Sequence, residues 1–115
     1  MPKKDETVFI NCLQMYFPSA PELELFLKSL DEVWTETLYS NLASAGLIRH
    51  VVSKVWNKEQ HRVAMVFEYE SKEGYLKCQD IIAEDFGKAR REELSKFVFK
   101  VQNNRGLVLS EYVRP

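Results

Sequence analysis

Two imidazoles, two thiols and a scatter of amides, phenols and carboxylates are the groups this chain offers for chemistry. His50 and His61 are its only histidines. His50 falls in the middle of the alternating stretch Leu47 to Trp56, on the face it shares with Val52 and Trp56. From there an imidazole could reach a pocket and act as a general base. A structural histidine held by its hydrogen bonds is the plainer reading of the same position. His61 opens a strand beside Arg62 and is expected at the surface, with no catalytic part. Asn11 stands among Leu13 and Met15, and an amide with such neighbours needs hydrogen bonds from the protein or from a ligand. Tyr39, Tyr69, Tyr75 and Tyr112 can each offer a phenol, though aromatic packing explains tyrosines as well. The site expected from these residues is His50 as the catalytic group, with Asn11, Trp56 and Tyr69 as ligand-binding residues.

Other candidates are weaker. Glu68 and Glu70 are two residues apart on a strand, so their carboxylates share a face and one could have its pKa raised. A solvated strand end is the ordinary meaning of that pair. Lys88-Ala89-Arg90-Arg91 followed by Glu92-Glu93 reads as a mixed-charge helix surface, with at most a weak anion site. Cys12 and Cys78 fall on different elements and make no CxxC or Cys/His cluster, so they read as reduced thiols packed as small hydrophobes. The chain has no P-loop, GxGxxG, GxSxG, HExxH or EF-hand pattern. No metal and no cofactor are expected, and any enzyme here would work without either.

The elements that must position these groups alternate in type. Val8 to Phe17 is rich in β-branched and aromatic residues and reads as a strand with two largely apolar faces. Ser19-Ala20-Pro21-Glu22 is a helix start, with a capping serine and a proline allowed in the first turn. Leu23, Phe26, Leu27, Leu30, Val33, Trp34, Leu38, Leu42 and Ala45 then recur at helical spacing, predicting one amphipathic helix of about six turns that stops at Gly46. Leu47 to Trp56 and His61 to Tyr69 alternate with period two and form a hairpin around Asn57-Lys58-Glu59-Gln60. Ser71 is a second helix cap. Its helix carries Tyr75, Leu76, Cys78, Gln79, Ile82 and Ala83, with a break at Asp85-Phe86-Gly87 and renewed helix over Lys88 to Phe97. Phe99 to Val113 is strand-like on either side of Asn103-Asn104-Arg105-Gly106, a turn signal.

Composition bounds the answer. At 115 residues, with 45% hydrophobic and 29% charged residues, residues 1–115 suit one globular domain. A net charge of -1 argues against a sequence-independent grip on nucleic acid. Residues 1–7 are polar and no apolar run is long enough to span a membrane, so a cytoplasmic protein is expected.

The order β-α-β-β-α-β describes an α+β, ferredoxin-like domain, an antiparallel sheet with two helices on one face. Strands apolar on both faces need cover on the other side. An identical sheet related by a two-fold axis would supply it, forming an α/β barrel across a homodimer. A heterologous partner is the other option. An RNA-binding sheet would need an RNP motif and a basic surface, and neither is present.

Ala45-Gly46-Leu47-Ile48, followed by the hairpin and then Phe67-Glu68-Tyr69-Glu70-Ser71-Lys72-Glu73-Gly74-Tyr75, resembles the dimeric α/β barrel superfamily, which includes the antibiotic biosynthesis monooxygenase-like domains. The resemblance spans roughly residues 8 to 86. It implies a ligand pocket between sheet and helices, and members include cofactor-independent oxygenases, haem-degrading enzymes, polyketide cyclases and isomerases. Haem-degrading members resemble one another in a first-strand Asn, a Trp and a downstream His. Asn11 matches in kind, whereas Trp56 and His61 lie in another context and no histidine follows position 61. The expected function is therefore binding of a small apolar or aromatic molecule in that pocket. The alternative is a cofactor-independent monooxygenase-like or polyketide-cyclase-like enzyme.

Overall fold

A computed structural model of the protein describes residues 7–57, 61–95 and 100–115. The expected positions 58–60 of the hairpin connection, and 96, 97 and 99 near the chain's last strand, lie outside these. So do residues 1–6 and the side chains at 88–91 and 93–95, and with them most of the charged run from Lys88 to Glu93. Four strands, β1 (Phe9–Tyr16), β2 (Leu47–Lys54), β3 (Arg62–Tyr69) and β4 (Lys100–Leu107), form one sheet in the order β2-β3-β1-β4. Every neighbouring pair is antiparallel. With helices between β1 and β2 and between β3 and β4, this is the ferredoxin-like α+β arrangement.

Where one long first helix was expected, the chain makes three: α1 (Ala20–Lys28), α2 (Leu30–Val33) and α3 (Glu36–Ala45). Local polar groups outcompete the continuous apolar stripe. Ser29 Oγ donates to the Phe26 carbonyl at 2.7 Å and closes α1. Trp34 leaves helical geometry at φ -97°, ψ 76°. Thr35 is then extended, and its Oγ1 accepts from the Leu38 amide at 3.2 Å as the cap of α3. At the start of α1, Ser19 Oγ pairs with the Glu22 carboxylate and caps no backbone amide. Ser71 caps α4 (Lys72–Ser95) as expected, accepting from the Gly74 amide at 2.9 Å. The break expected near residue 87 is present, with Gly87 at φ 65°, ψ 171° inside α4.

The second correction concerns β4. Asn103 to Gly106 does not turn; it runs straight through the strand, paired residue for residue with Leu13 to Ile10. The β1 ladder supplies backbone partners that outweigh the local turn preference. The ladder continues past the strand, where the Val108 amide donates to the Val8 carbonyl at 2.8 Å.

The core lies between the helices and one face of the sheet. It joins Phe9, Phe17, Val63, Met65, Phe67 and Tyr69 from the strands to Leu23, Phe26, Leu38, Leu42, Tyr75 and Cys78 from the helices. Leu42, Val63, Tyr69 and Cys78 are wholly inaccessible; truncating a leucine such as Leu42 to alanine costs about 2–5 kcal/mol. At one corner of this layer Gly46, at φ 124°, ends α3 against the first turn of α4. A Cβ built there would lie 3.1 Å from Gly74 Cα. Only a pair of glycines lets these two backbones cross so closely.

The opposite face carries Ile10, Cys12, Ala64, Val66 and Val51 at its centre, each half-buried at most. Its margins are polar. Arg49 meets Glu68 at 3.6 Å, and the guanidinium of Arg62 and the ammonium of Lys100 both lie about 5 Å from the Tyr16 ring centroid. The face is thus less apolar than the strand pattern suggested, though its middle is free of charge. A bulge between Leu47 and Arg49 shifts the register of β2.

Candidate functional site

Register places four side chains of four strands on one rung of the helix-facing surface. His50 pairs with Phe67, Phe67 with Asn11, and Asn11 with Arg105. Side chains directly opposite on an antiparallel pair point the same way and sit about 5 Å apart. The rung is therefore a floor that reads imidazole, phenyl, amide, guanidinium.

Around it the rings interlock. The imidazole of His50 stacks on Phe67 with centroids 4.0 Å apart and planes 10° from parallel. Trp34, placed by the break between α2 and α3, lies 4.6 Å from His50, 5.7 Å from Phe67 and 5.7 Å from Phe86. On the other side of Phe67 stands Tyr69, whose edge meets Tyr75 at 5.4 Å. Tyr75 in turn stacks on Phe9 at 4.7 Å.

An apolar cavity of about 80 Å³ adjoins this wall, lined by Leu13, Met15, Met65, Phe26, Leu30, Val33, Trp34 and Phe86. Its floor is the next rung along, since Leu13 follows Asn11 and Met65 precedes Phe67 on the same faces. Trp34 belongs to both the cavity and the aromatic cluster. A second concavity between α3 and α4 is an open groove with Asn41, Ser44, Lys77, Glu84 and Asp85 along it, whose polar groups face water.

Two polar atoms beside the wall are buried without partners, His50 Nε2 and Asn11 Oδ1; the buried Tyr69 hydroxyl lies against the Gln79 side chain. Asn11 is only 4% exposed. Such groups cost roughly 1–3 kcal/mol each when left unsatisfied. His50 Nδ1 does have a partner, the hydroxyl of Tyr39 at 2.8 Å. The phenol is the stronger donor, so Nδ1 accepts from it and the proton of the neutral ring sits on Nε2. The burial of the imidazole lowers its pKa to about 4 and keeps it neutral. Burial also raises the pKa of Tyr39. Tyr69 is pushed up mainly by burial, then by Cys78 and Tyr75, with Gln79 acting the other way. The Cys78 thiol is pushed up to about 11 by burial, so it is an unreactive core group.

Of the residues singled out in the sequence, His50, Asn11 and Tyr69 are thus brought onto one surface. Trp56 is not: it lies past the end of β2, 95% exposed. Trp34 occupies the place expected for it. The helical stripe hid that role, and the signal that could have revealed it was Thr35 beginning a new helix one residue later. Arg105 was concealed inside an apparent turn. Glu68 and Glu70 part company, Glu68 binding Arg49 and Thr7 while Glu70 packs against Gly46. Among the described residues no three His, Cys, Asp or Glu side chains converge as a metal site would need.

The chain is similar in structure to a dimeric ferredoxin-like protein from an uncultured marine organism, at 66% identity and a TM-score of 0.92 over 97% of this chain and 98% of that one. A second dimeric ferredoxin-like protein from an uncultured marine organism is 26% identical, with a TM-score of 0.77 over 92% and 99%. The monooxygenase from ActVA-Orf6 of Streptomyces coelicolor, solved with nanaomycin D, shares the fold at 12% identity and a TM-score of 0.66 over 96% and 95%. These likenesses place the fold among dimeric ferredoxin-like and monooxygenase-like proteins, in agreement with the resemblance seen in the sequence. No curated protein matches the chain. A family model described as a domain of unknown function (DUF6974) matches residues 6–108, and the chain belongs to that family.

Proposed function

We propose that this protein binds a small apolar or aromatic molecule between sheet and helices, in the cavity walled by Trp34 and Phe86. The supporting observation is a pair of buried, unpartnered polar atoms, His50 Nε2 and Asn11 Oδ1, on the rung next to the floor of an apolar hollow. Such a site holds a flat apolar body and orients it by a few hydrogen bonds. Nε2–H of His50 seeks an acceptor, and Asn11 Oδ1 seeks a donor. In this reading His50 is the polar anchor, with Asn11 and Tyr69 contacting the ligand and Trp56 outside. Extraction of the purified protein with organic solvent and mass spectrometry tests it, together with NMR titration of small aromatics followed at the Trp34 indole. Saturable shifts at Trp34 support binding; no shift by any aromatic up to its solubility overturns it.

Catalysis by a cofactor-independent monooxygenase or cyclase route is the second reading, supported by the likeness in fold to the Streptomyces coelicolor monooxygenase. His50 is then the base in its other tautomer, with Nδ1–H donating to the Tyr39 oxygen and Nε2 bare. With a pKa near 4 it is a weak one, which favours binding over proton abstraction.

The same reading makes the protein a homodimer of single-domain chains. The half-buried centre of the outer sheet face supports it, as do Gln14 Oε1 and Arg62 Nε, two atoms of that face buried without partners. The 66%-identical relative is itself described as dimeric. Sheet-to-sheet packing burying about 800 Å² per chain would suffice. No helix among the described residues is long and apolar enough to cross a membrane. The free thiols Cys12 and Cys78 favour a reducing compartment such as the cytoplasm.

A further inference from the structure

We infer that the molecule bound in this pocket is an organic acid, with its carboxylate held by Arg105 and Tyr75. The inference rests on the binding reading above and adds the ligand's charge. Arg105 is an edge-strand residue free to extend into water, yet it leans over the helix-facing side. There its Nη1 donates to the Tyr75 hydroxyl at 3.3 Å. Among the described residues no carboxylate lies within ion-pair distance of it, although Arg49 and Lys54 both have one. On this exposed strand its guanidinium has donors beyond the one given to Tyr75.

The neighbours sort the chemistry. Arg105 ends the rung that runs through Asn11 and Phe67, which lies between the cavity floor at Leu13 and the Phe9 ring on which Tyr75 stacks. Tyr75 accepts from Arg105, which leaves its own O–H to donate to another group. Guanidinium and phenol thus present donors side by side, a set that matches a planar carboxylate. Asn11 Oδ1, the buried acceptor beside them, would repel a carboxylate and is satisfied by a hydroxyl on the same molecule. An aromatic hydroxy acid meets every condition: its ring on the apolar side of Phe67 and Trp34, its hydroxyl on Asn11, and its carboxylate at Arg105.

Two probes differing only in the carboxylate separate the claims: 3-hydroxy-2-naphthoate and 2-naphthol, titrated at pH 7 into the full-length protein and followed by NMR at the Trp34 indole. The acid should bind at least about tenfold more tightly than the naphthol, as a charge-assisted pair allows. Arg105→Gln should abolish that preference while leaving naphthol affinity unchanged, and Arg105→Lys should restore part of it. Naphthol binding with no preference for the acid, or a preference that survives Arg105→Gln, overturns the inference and leaves the pocket standing. Binding of neither probe to the unmodified protein removes both.

Discussion

The hydroxyl of Tyr39 meets His50 Nδ1 at 2.8 Å, while the far nitrogen of the same ring is buried against aromatic side chains with nothing to bond. One edge of the imidazole is fixed and the other is unsatisfied. Protonating that ring would place a charge between Phe67 and Trp34. The pKa consequently falls from its ordinary 6.5 to about 4.

Stability should therefore depend on pH in a defined window. Above pH 6.5 the ring is neutral folded and unfolded, and its contribution is complete. Between pH 6.5 and about 4 the unfolded chain takes a proton that the fold refuses, so stability falls as pH drops. Partial exposure of the ring keeps the slope below the ceiling of about 1.4 kcal/mol per pH unit. Urea midpoints at pH 7, 6 and 5 should decline in the native protein. In His50→Phe, which keeps the stack on Phe67, they should decline less. Parallel pH profiles for the two would show that the imidazole is not the group responsible.

Filling the apolar cavity should separate binding from folding. Leu13→Phe adds a ring's volume where Leu13 lines the hollow. Its melting temperature should stay within a few degrees of the native value, about 1 kcal/mol either way, while small aromatics cease to shift Trp34. Unaltered titration curves would place the ligand elsewhere.

The glycines should rank by geometry. Gly46→Ala strains a backbone at φ 124° and sets a Cβ 3.1 Å from Gly74 Cα and 3.2 Å from Glu70 Cγ; a loss of about 2 kcal/mol or more is expected. Gly87→Ala meets no atom within 4 Å but keeps a positive φ of 65°, for about 1 kcal/mol or slightly more. Gly106→Ala, in open space in β4 without a positive φ, should be neutral or stabilising by up to about 1 kcal/mol. Chemical denaturation of the three variants checks the order.

Charge at the centre of the outer face should part the dimer. Val66→Lys leaves the helix-side core untouched. Light scattering at micromolar concentration should give twice the chain mass for the native protein and a single chain mass for this variant. Cys12, on the same rung as Val66, should react with a thiol reagent only in the monomer. A native protein of single chain mass would remove the homodimer from the proposal.

Much of this was legible in the residues, and what was not has local causes. Period-two runs and the stops at Gly46 and Ser71 set three strands, both helical segments and their order. They also singled out His50 and Asn11, polar residues on greasy strands. The apolar spacing from Leu23 to Ala45 could not show that Ser29 and Thr35 would each end or begin a helix by their own hydroxyls. Asn103 to Gly106 carries turn chemistry, and only the β1 edge, far away in sequence, makes it a strand. The same two features hide where Trp34 and Arg105 sit, in the aromatic wall and at the end of its rung, because both positions depend on tertiary placement.

One added residue settles which cation-bearing side chain faces the interior. Without Ile48 bulging out of β2, plain alternation from the Leu47–Tyr69 pair would set Arg49 opposite Phe67 and turn His50 outward. A permanently charged guanidinium would then be sealed among aromatic rings, where an imidazole that can shed its proton now sits. The irregularity in the strand thus selects a titratable floor over an obligate ion, and a one-residue deletion that removed either Ile48 or Arg49 would keep His50 opposite Phe67.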